Sequence, residues 1–99
     1  MSGPVLKTFR LRPTTEWFAL SDEEQSRIGE SVQATVGAAG GKVLAFCDCR
    51  WSSESWAFWG VEEYPNLEAL QEQNRQLTAL GWYRYVDAET LLGTPYTGS

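Results

Sequence analysis

Residues 42–63, KVLAFCDCRWSSESWAFWGVEE, decide the fold of this 99-residue chain. The first part, residues 42–51, is rich in apolar and β-favouring side chains. As a strand it sets Leu44, Phe46, Asp48 and Arg50 on one face and Val43, Ala45, Cys47, Cys49 and Trp51 on the other. Ser52, Ser53 and Glu54 make a short polar turn, after which residues 55–63 resume the alternation, with Trp56, Phe58 and Gly60 against Ala57, Trp59 and Val61. Two such runs around a polar turn predict a β-hairpin in mid-chain.

A helix is predicted on either side of the hairpin. Upstream, Ser21-Asp22-Glu23-Glu24 is a capping box: Ser21 caps, Glu24 returns the bond, and the acids face the positive end of the helix. Ile28, Val32, Thr35 and Val36 then form an apolar stripe until Gly37 and Gly40-Gly41 end the helix. Downstream, Pro65-Asn66 closes the hairpin and Asn66 caps a second helix carrying Leu67, Leu70, Asn74, Leu77 and Leu80 at helical spacing, stopped by Gly81.

The outermost segments complete the order. Residues 5–12 alternate Val5, Lys7, Phe9 and Leu11, the drier face, with Leu6, Thr8, Arg10 and Arg12, the wetter one, and the strand stops at Pro13. The connection over residues 13–20 holds Trp17, Phe18 and Leu20, too apolar for a solvated loop, and is expected to fold back on the body or onto a partner. Residues 82–86 read as a short aromatic last strand, residues 87–93 as a closing turn or short helical piece, and residues 96–99 as a frayed tail. The result is an α+β chain of ferredoxin-like β-α-β-β-α-β order: a four-stranded antiparallel sheet with two helices on one face. It is expected to be a single domain over residues 1–99 with its core in 5–93. The bare face of the sheet calls for a cover, which a second copy stacked sheet to sheet supplies as a homodimer.

Composition narrows the function. Apolar residues make up 42% and charged ones 21%, so the chain folds, and five Trp, four Tyr and four Phe exceed what a small core needs, which sends some of them to a pocket or an interface. The net charge of −5 repels phosphate backbones and anionic headgroups, which argues against nucleic-acid and membrane partners. No apolar run approaches the ~20 residues of a bilayer span. Residues 1–4 begin no signal-peptide pattern, and a cytoplasmic location is expected. Cys47 and Cys49 read as two small buried hydrophobes in a reducing compartment, and without any His they leave no zinc set. Gly40-Gly41 lacks the spaced glycines of a phosphate-binding turn, so no flavin or nicotinamide is suggested, and the chain is expected to work without a cofactor.

This order, together with residues 13–24 (PTTEWFALSDEE) and 81–85 (GWYRY), resembles the dimeric α+β barrel superfamily over nearly the whole chain. That superfamily includes cofactor-independent antibiotic-biosynthesis monooxygenases, haem-degrading oxygenases and muconolactone isomerase-like enzymes. The two stretches look most like the small uncharacterised darcynin-like members. The resemblance implies a scaffold, and scaffold is not function. Its haem-degrading branch relies on a His ligand that this chain lacks, whereas its monooxygenases use Trp with polar residues around an electron-rich aromatic substrate, parts open here to Trp51, Trp56, Trp59 and Tyr83.

Without His, proton transfer falls to Asp, Glu, Tyr or water assisted by Arg. The catalytic candidates are Asp48 as a base, set by burial and a neighbouring Arg, with Arg50 or Arg10 binding an enolate or carboxylate; the structural alternative is an ion pair at the sheet or dimer edge. The substrate-binding candidates are Trp51, Trp56, Trp59, Tyr83, Tyr85 and Arg84. Alternation sends Trp56 and Trp59 to opposite faces, and puts Tyr83 and Tyr85 opposite Trp82 and Arg84. The tryptophans either stack on a flat ligand or fill the core and dimer seam, and the tyrosine hydroxyls either bind a substrate oxygen or cap a core edge. The expected function is a small cofactor-independent enzyme that oxygenates, isomerises or cyclises an aromatic or polyketide-like metabolite; the alternative is a non-catalytic binding or accessory protein of the same fold.

Overall fold

The computed structural model describes residues 2–98; Met1 and, of the tail, Ser99 lie outside the described residues. Along the chain run β1 (Ser2–Pro13), α1 (Thr15–Phe18), α2 (Asp22–Ala38), β2 (Lys42–Asp48), β3 (Phe58–Asn66), α3 (Leu67–Ala79), a 3-10 turn (Trp82–Arg84) and β4 (Val86–Gly93). The four strands form one antiparallel sheet in the order β2-β3-β1-β4. This is the ferredoxin-like order anticipated from the sequence. Among the described residues no helix is long and apolar enough to cross a membrane.

The caps form as the sequence dictates. Ser21 Oγ accepts from the Glu24 N–H at 3.1 Å while Glu24 returns to the Ser21 N–H, and Asn66 Oδ1 accepts from the Ala69 N–H at 2.8 Å. Each satisfies amides that the first helical turn leaves without partners, a gain of about 1 kcal/mol per cap.

The cross-strand register defines the two faces. Lys7 stands opposite Glu62, Phe9 opposite Gly60 and Leu11 opposite Phe58, and Tyr64 stands opposite Val5. These side chains look toward α2 and α3, where Val5, Val36, Tyr64 and Leu70 make the core with Ala39 and Ala69 against it. The opposite, open face carries Arg10 against Glu89 and Arg12 against Asp87 on β4, as ion pairs of 3.0 and 3.3 Å, together with Trp59, Val61 and Leu91.

Three segments depart from the sequence reading. The second strand ends at Asp48, and residues 49–57 form a loop rather than the tight turn expected at 52–54. The Ser52 and Ser53 amides bond to the Cys49 carbonyl, and Ser53 Oγ accepts from the Ser55 and Trp56 amides. Serine hydroxyls therefore close the backbone locally where ladder pairing was expected. A bulge at Leu44 shifts the pairing so that Val43 meets Glu62 while Ala45 meets Val61, which turns Val43 to the same face as Phe46. Finally, the aromatic run at 82–84 is a 3-10 turn entered through left-handed Gly81 (φ 72°), and the last strand is Val86–Gly93, where only a turn or helical piece was expected. Asp87 and Glu89, two residues apart, match Arg12 and Arg10, and that complementarity pulls β4 into the sheet.

Gly60 is required by packing. A Cβ there would lie 2.6 Å from Cζ of Phe9 and 2.9 Å from the Ala45 carbonyl oxygen. The Gly60→Ala variant is therefore expected to lose about 1–3 kcal/mol, read from its urea midpoint against the parent.

Candidate functional site

Between the sheet and the two helices lies a cavity of about 320 Å³, at the small end of the range in which ligand sites occur. One wall is phenyl: Phe46 and Phe58 stack at 5.4 Å between centroids, and Phe9 meets Phe46 at 6.3 Å. This wall follows from the register, which puts Phe46 beside Gly60 and Phe58 beside Leu11 on the helix side. At another edge Trp17 and Trp82 meet edge to face at 6.0 Å, with Tyr85 against Trp17 at 6.3 Å. Thr14 fixes this corner, its hydroxyl donating to the Arg84 carbonyl at 2.9 Å and its amide to the Tyr85 carbonyl at 2.9 Å.

A buried group of polar side chains interrupts the mostly apolar lining, to which Gln33, Tyr83 and Thr90 also contribute. Lys7 Nζ donates to Gln73 Oε1 at 3.0 Å and lies 3.8 Å from Glu62 Oε1. Tyr64 Oη donates to the same Glu62 oxygen at 2.7 Å. Gln73 Nε2 donates in turn to Thr35 Oγ1 at 3.0 Å, and Thr35 donates to the Val32 carbonyl at 2.6 Å. An ammonium can only donate, so it fixes the orientation of the Gln73 amide, and the amide nitrogen then selects Thr35 as acceptor. Lys7, Glu62 and Gln73 are 6, 7 and 1% exposed, yet all three border the cavity. Burial pushes the Lys7 ammonium below the ordinary 10.5, and the neighbouring Glu62 carboxylate only partly restores it. Burial, and then the Glu62 carboxylate that accepts its proton, push the Tyr64 phenol far up. Burial likewise raises Tyr83, whose hydroxyl donates to Asn74 Oδ1 at 3.1 Å. On its other side Lys7 borders a second, more polar groove shared with Asn74, Arg75, Tyr83 and Leu92.

The structure distributes the residues singled out in the sequence over four places. Tyr83 lines the helix-side cavity. Arg10, Trp56 and Trp59 line a separate cavity of about 540 Å³ on the open face, with the guanidinium of Arg10 5.9 Å and that of Arg12 4.8 Å from the Trp56 ring. The expectation that Trp56 and Trp59 point to opposite faces fails because Trp56 belongs to the loop, not to the strand. Asp48 and Arg50 pair at 2.8 Å at the exposed end of β2, on the other side of the sheet from Arg10, and Trp51 is 85% exposed with its indole donating to the Asp48 carbonyl. The Arg50 hydrogen bonds, not burial, hold the Asp48 carboxyl at about 2, which makes it a weak base near neutrality. Tyr85 packs on Trp17, and Arg84 is ion-paired with Glu16 at the surface. Because residues 82–84 are helical, Tyr83 and Tyr85 do not share a strand face.

Sequence reasoning passed over Lys7, Glu62, Gln73, Tyr64 and Thr35. The signal was present in the strand pattern: Lys7 sits among Val5, Phe9 and Leu11 on the drier face, and a cation there requires a buried acceptor. Among the described residues the cavity offers the Lys7 amine, the Glu62 carboxylate, the Gln33 and Gln73 amides and one phenol, that of Tyr83; the chain has no imidazole, and Cys49 lies on the open face with Cys47 opposite Trp59. A haem iron takes imidazole, thiolate or phenolate, and burial together with donation to Asn74 keeps the Tyr83 phenol protonated, so this donor set does not fit one.

Two outcomes are expected. Glu62→Gln leaves the Lys7 ammonium without its counter-charge and costs about 3 kcal/mol at pH 7. Because the Lys7 pKa is already lowered, that cost shrinks as the pH rises toward 10.5 and the amine deprotonates, which urea unfolding at several pH values measures. For Asp48 the sign is opposite. Its depressed pKa means that the stability advantage over Asp48→Asn is present above 3.8 and is lost as the pH falls to about 2, as thermal midpoints report.

The sequence matches no protein-family model and no curated protein sequence. Among solved structures, a mutant chlorite dismutase from Candidatus Nitrospira defluvii superposes with a TM-score of 0.76 at 17% identity, over 100% of this chain and 43% of that one. The chlorite dismutase of the same organism in complex with imidazole gives 0.77 at 15% identity, over 99% and 42%. A protein of unknown function from Rhodopseudomonas palustris gives 0.68 at 19% identity, over 98% and 85%. The chain thus spans less than half the length of the chlorite dismutases it resembles. At these identities the likeness establishes the α+β ferredoxin-like fold.

Proposed function

We propose that this chain is a small enzyme that binds a flat aromatic or polyketide-like metabolite in the helix-side cavity and acts on it without a metal or organic cofactor. The carrying observation is the Lys7–Glu62 pair, with Gln73, at the wall of a mostly apolar, phenyl-lined cavity. A ring stacks on Phe46 and Phe58 while one phenolic, enolic or carbonyl oxygen reaches the Lys7 ammonium. In a site of low dielectric, that ammonium stabilises a developing enolate or phenolate far more than it would in water. Isomerisation and aldol-type cyclisation proceed from such an anion with Glu62 moving the proton, and oxygenation does so with dioxygen as the oxidant. The superfamily that the sequence resembles includes cofactor-independent monooxygenases and muconolactone isomerase-like enzymes, which supports this class of chemistry on such a scaffold, while its darcynin-like members add only the fold.

The chain acts as a homodimer in this reading, in a reducing, cytoplasmic setting. Trp59, Val61 and Leu91 of the open face are then covered by a second copy, and Arg10, Trp56 and Trp59 fall at that seam. Asp48 with Arg50 remains a second candidate acid–base pair. The rival reading, ligand binding without turnover, is favoured by the closure of the polar group on itself: among the described residues no buried side-chain nitrogen or oxygen lacks a partner.

The test is a panel of hydroxylated aromatic metabolites, with binding followed by tryptophan fluorescence and turnover by mass spectrometry. Lys7→Met is expected to lower turnover by at least about 100-fold while binding persists. Leu77→Trp, which fills the cavity, is expected to abolish both. Binding with no turnover of any compound would leave the accessory reading, and loss of turnover in Asp48→Asn alone would move the chemistry to the end of β2.

A further inference from the structure

We infer that Lys7 is an amine nucleophile that forms an imine with the aldehyde or ketone group of an aromatic ligand held in the helix-side cavity. This rests on the proposed occupancy of that cavity and names its substrate class as carbonyl compounds.

Lys7 borders the apolar cavity on one side and the groove with Asn74, Arg75 and Tyr83 on the other. An imine needs both environments, a dry one that seats the carbonyl compound and a wet one that takes the water it loses. The amine is buried to 6% exposure and is held by Gln73 at 3.0 Å, so its direction is set before a ligand arrives. Burial also lowers its pKa, which raises the fraction of amine carrying a free electron pair. Glu62, 3.8 Å away, is among the described residues the one carboxylate that borders the cavity, and Tyr64 donates a hydrogen bond to it.

The step balances without an oxidant or reductant. Lys7 passes a proton to Glu62, and its nitrogen lone pair attacks the carbonyl carbon while the π pair moves to oxygen. Oxygen collects two of the three ammonium protons, relayed by Glu62, and departs as water. The third proton stays on the imine nitrogen, so the product cation still faces an ionised Glu62. One C–N double bond replaces one C–O double bond.

The chain has only two lysines, which gives the test an internal control: Lys7 is buried and the Lys42 side chain is 72% exposed. The native protein is incubated with 2-naphthaldehyde and sodium cyanoborohydride, which converts an imine to a stable secondary amine, and peptides containing each lysine are quantified by mass spectrometry. Selective capture at Lys7, exceeding Lys42 by at least about tenfold in the native protein and falling to parity in urea, is the expected result. Capture at Lys42 with Lys7 unmodified would overturn the inference. Binding of 2-naphthol, which has no carbonyl, is followed separately by the nuclear magnetic resonances of Tyr83 and Phe46. If it binds there while Lys7 stays unlabelled, only the imine fails; if it does not bind, the cavity reading itself fails.

Discussion

The register between β1 and β3 is the constraint on which the rest of the structure depends. It sets Lys7 directly opposite Glu62 at the centre of the sheet, both looking into the space beneath the helices. A slip of β1 by one residue against β3 would turn Lys7 onto the open face, away from Glu62, and swing Arg10 under the helices, so the buried pair opposes a shifted pairing. Ion pairs of this kind add little net stability, since the cost of desolvating both charges offsets most of their attraction. Their effect is selective: the sequence has few other ways to forbid a shifted sheet, because apolar residues occur on both faces of β3.

How much could be read in advance follows from how local each signal was. The capping box at Ser21 and the Asn66 cap are decided by side chains three residues apart, and both helices start where those patterns place them. The element order was legible for the same reason. The last strand was not, because the aromatic run at 82–84 has strong β propensity, and left-handed Gly81 overrides it by directing the backbone into a 3-10 turn. What identifies residues 86–93 as a strand is a partner: Asp87 and Glu89 have meaning only beside Arg12 and Arg10, some 75 positions earlier.

The candidate site shows the same division. Attention to charged residues on strand faces led to Asp48, Arg50 and Arg10, whose ion pairs stand in or near solvent. The charge that the fold does bury, Lys7, was visible on the drier face of β1, but its partners come from β3 and α3 and acquire significance only once those elements are docked. Tyr83 was found for its ring and lies where a ligand would meet it, though a turn rather than a strand presents it.

The polar line from Tyr64 through Glu62, Lys7, Gln73 and Thr35 to the Val32 carbonyl, hydrogen-bonded at every link except the 3.8 Å Glu62–Lys7 ion pair, crosses from β3 to β1, then to α3, then to α2. It is a cross-brace between layers that otherwise touch through apolar side chains, which resist separation but slide with little penalty. Shear between the helices and the sheet must therefore stretch a polar bond, and the strut at the middle of the brace is the same amine that faces the cavity. Whatever engages Lys7 changes how many donors it has left for Gln73, so the stiffness of the helical layer becomes a function of what the cavity holds.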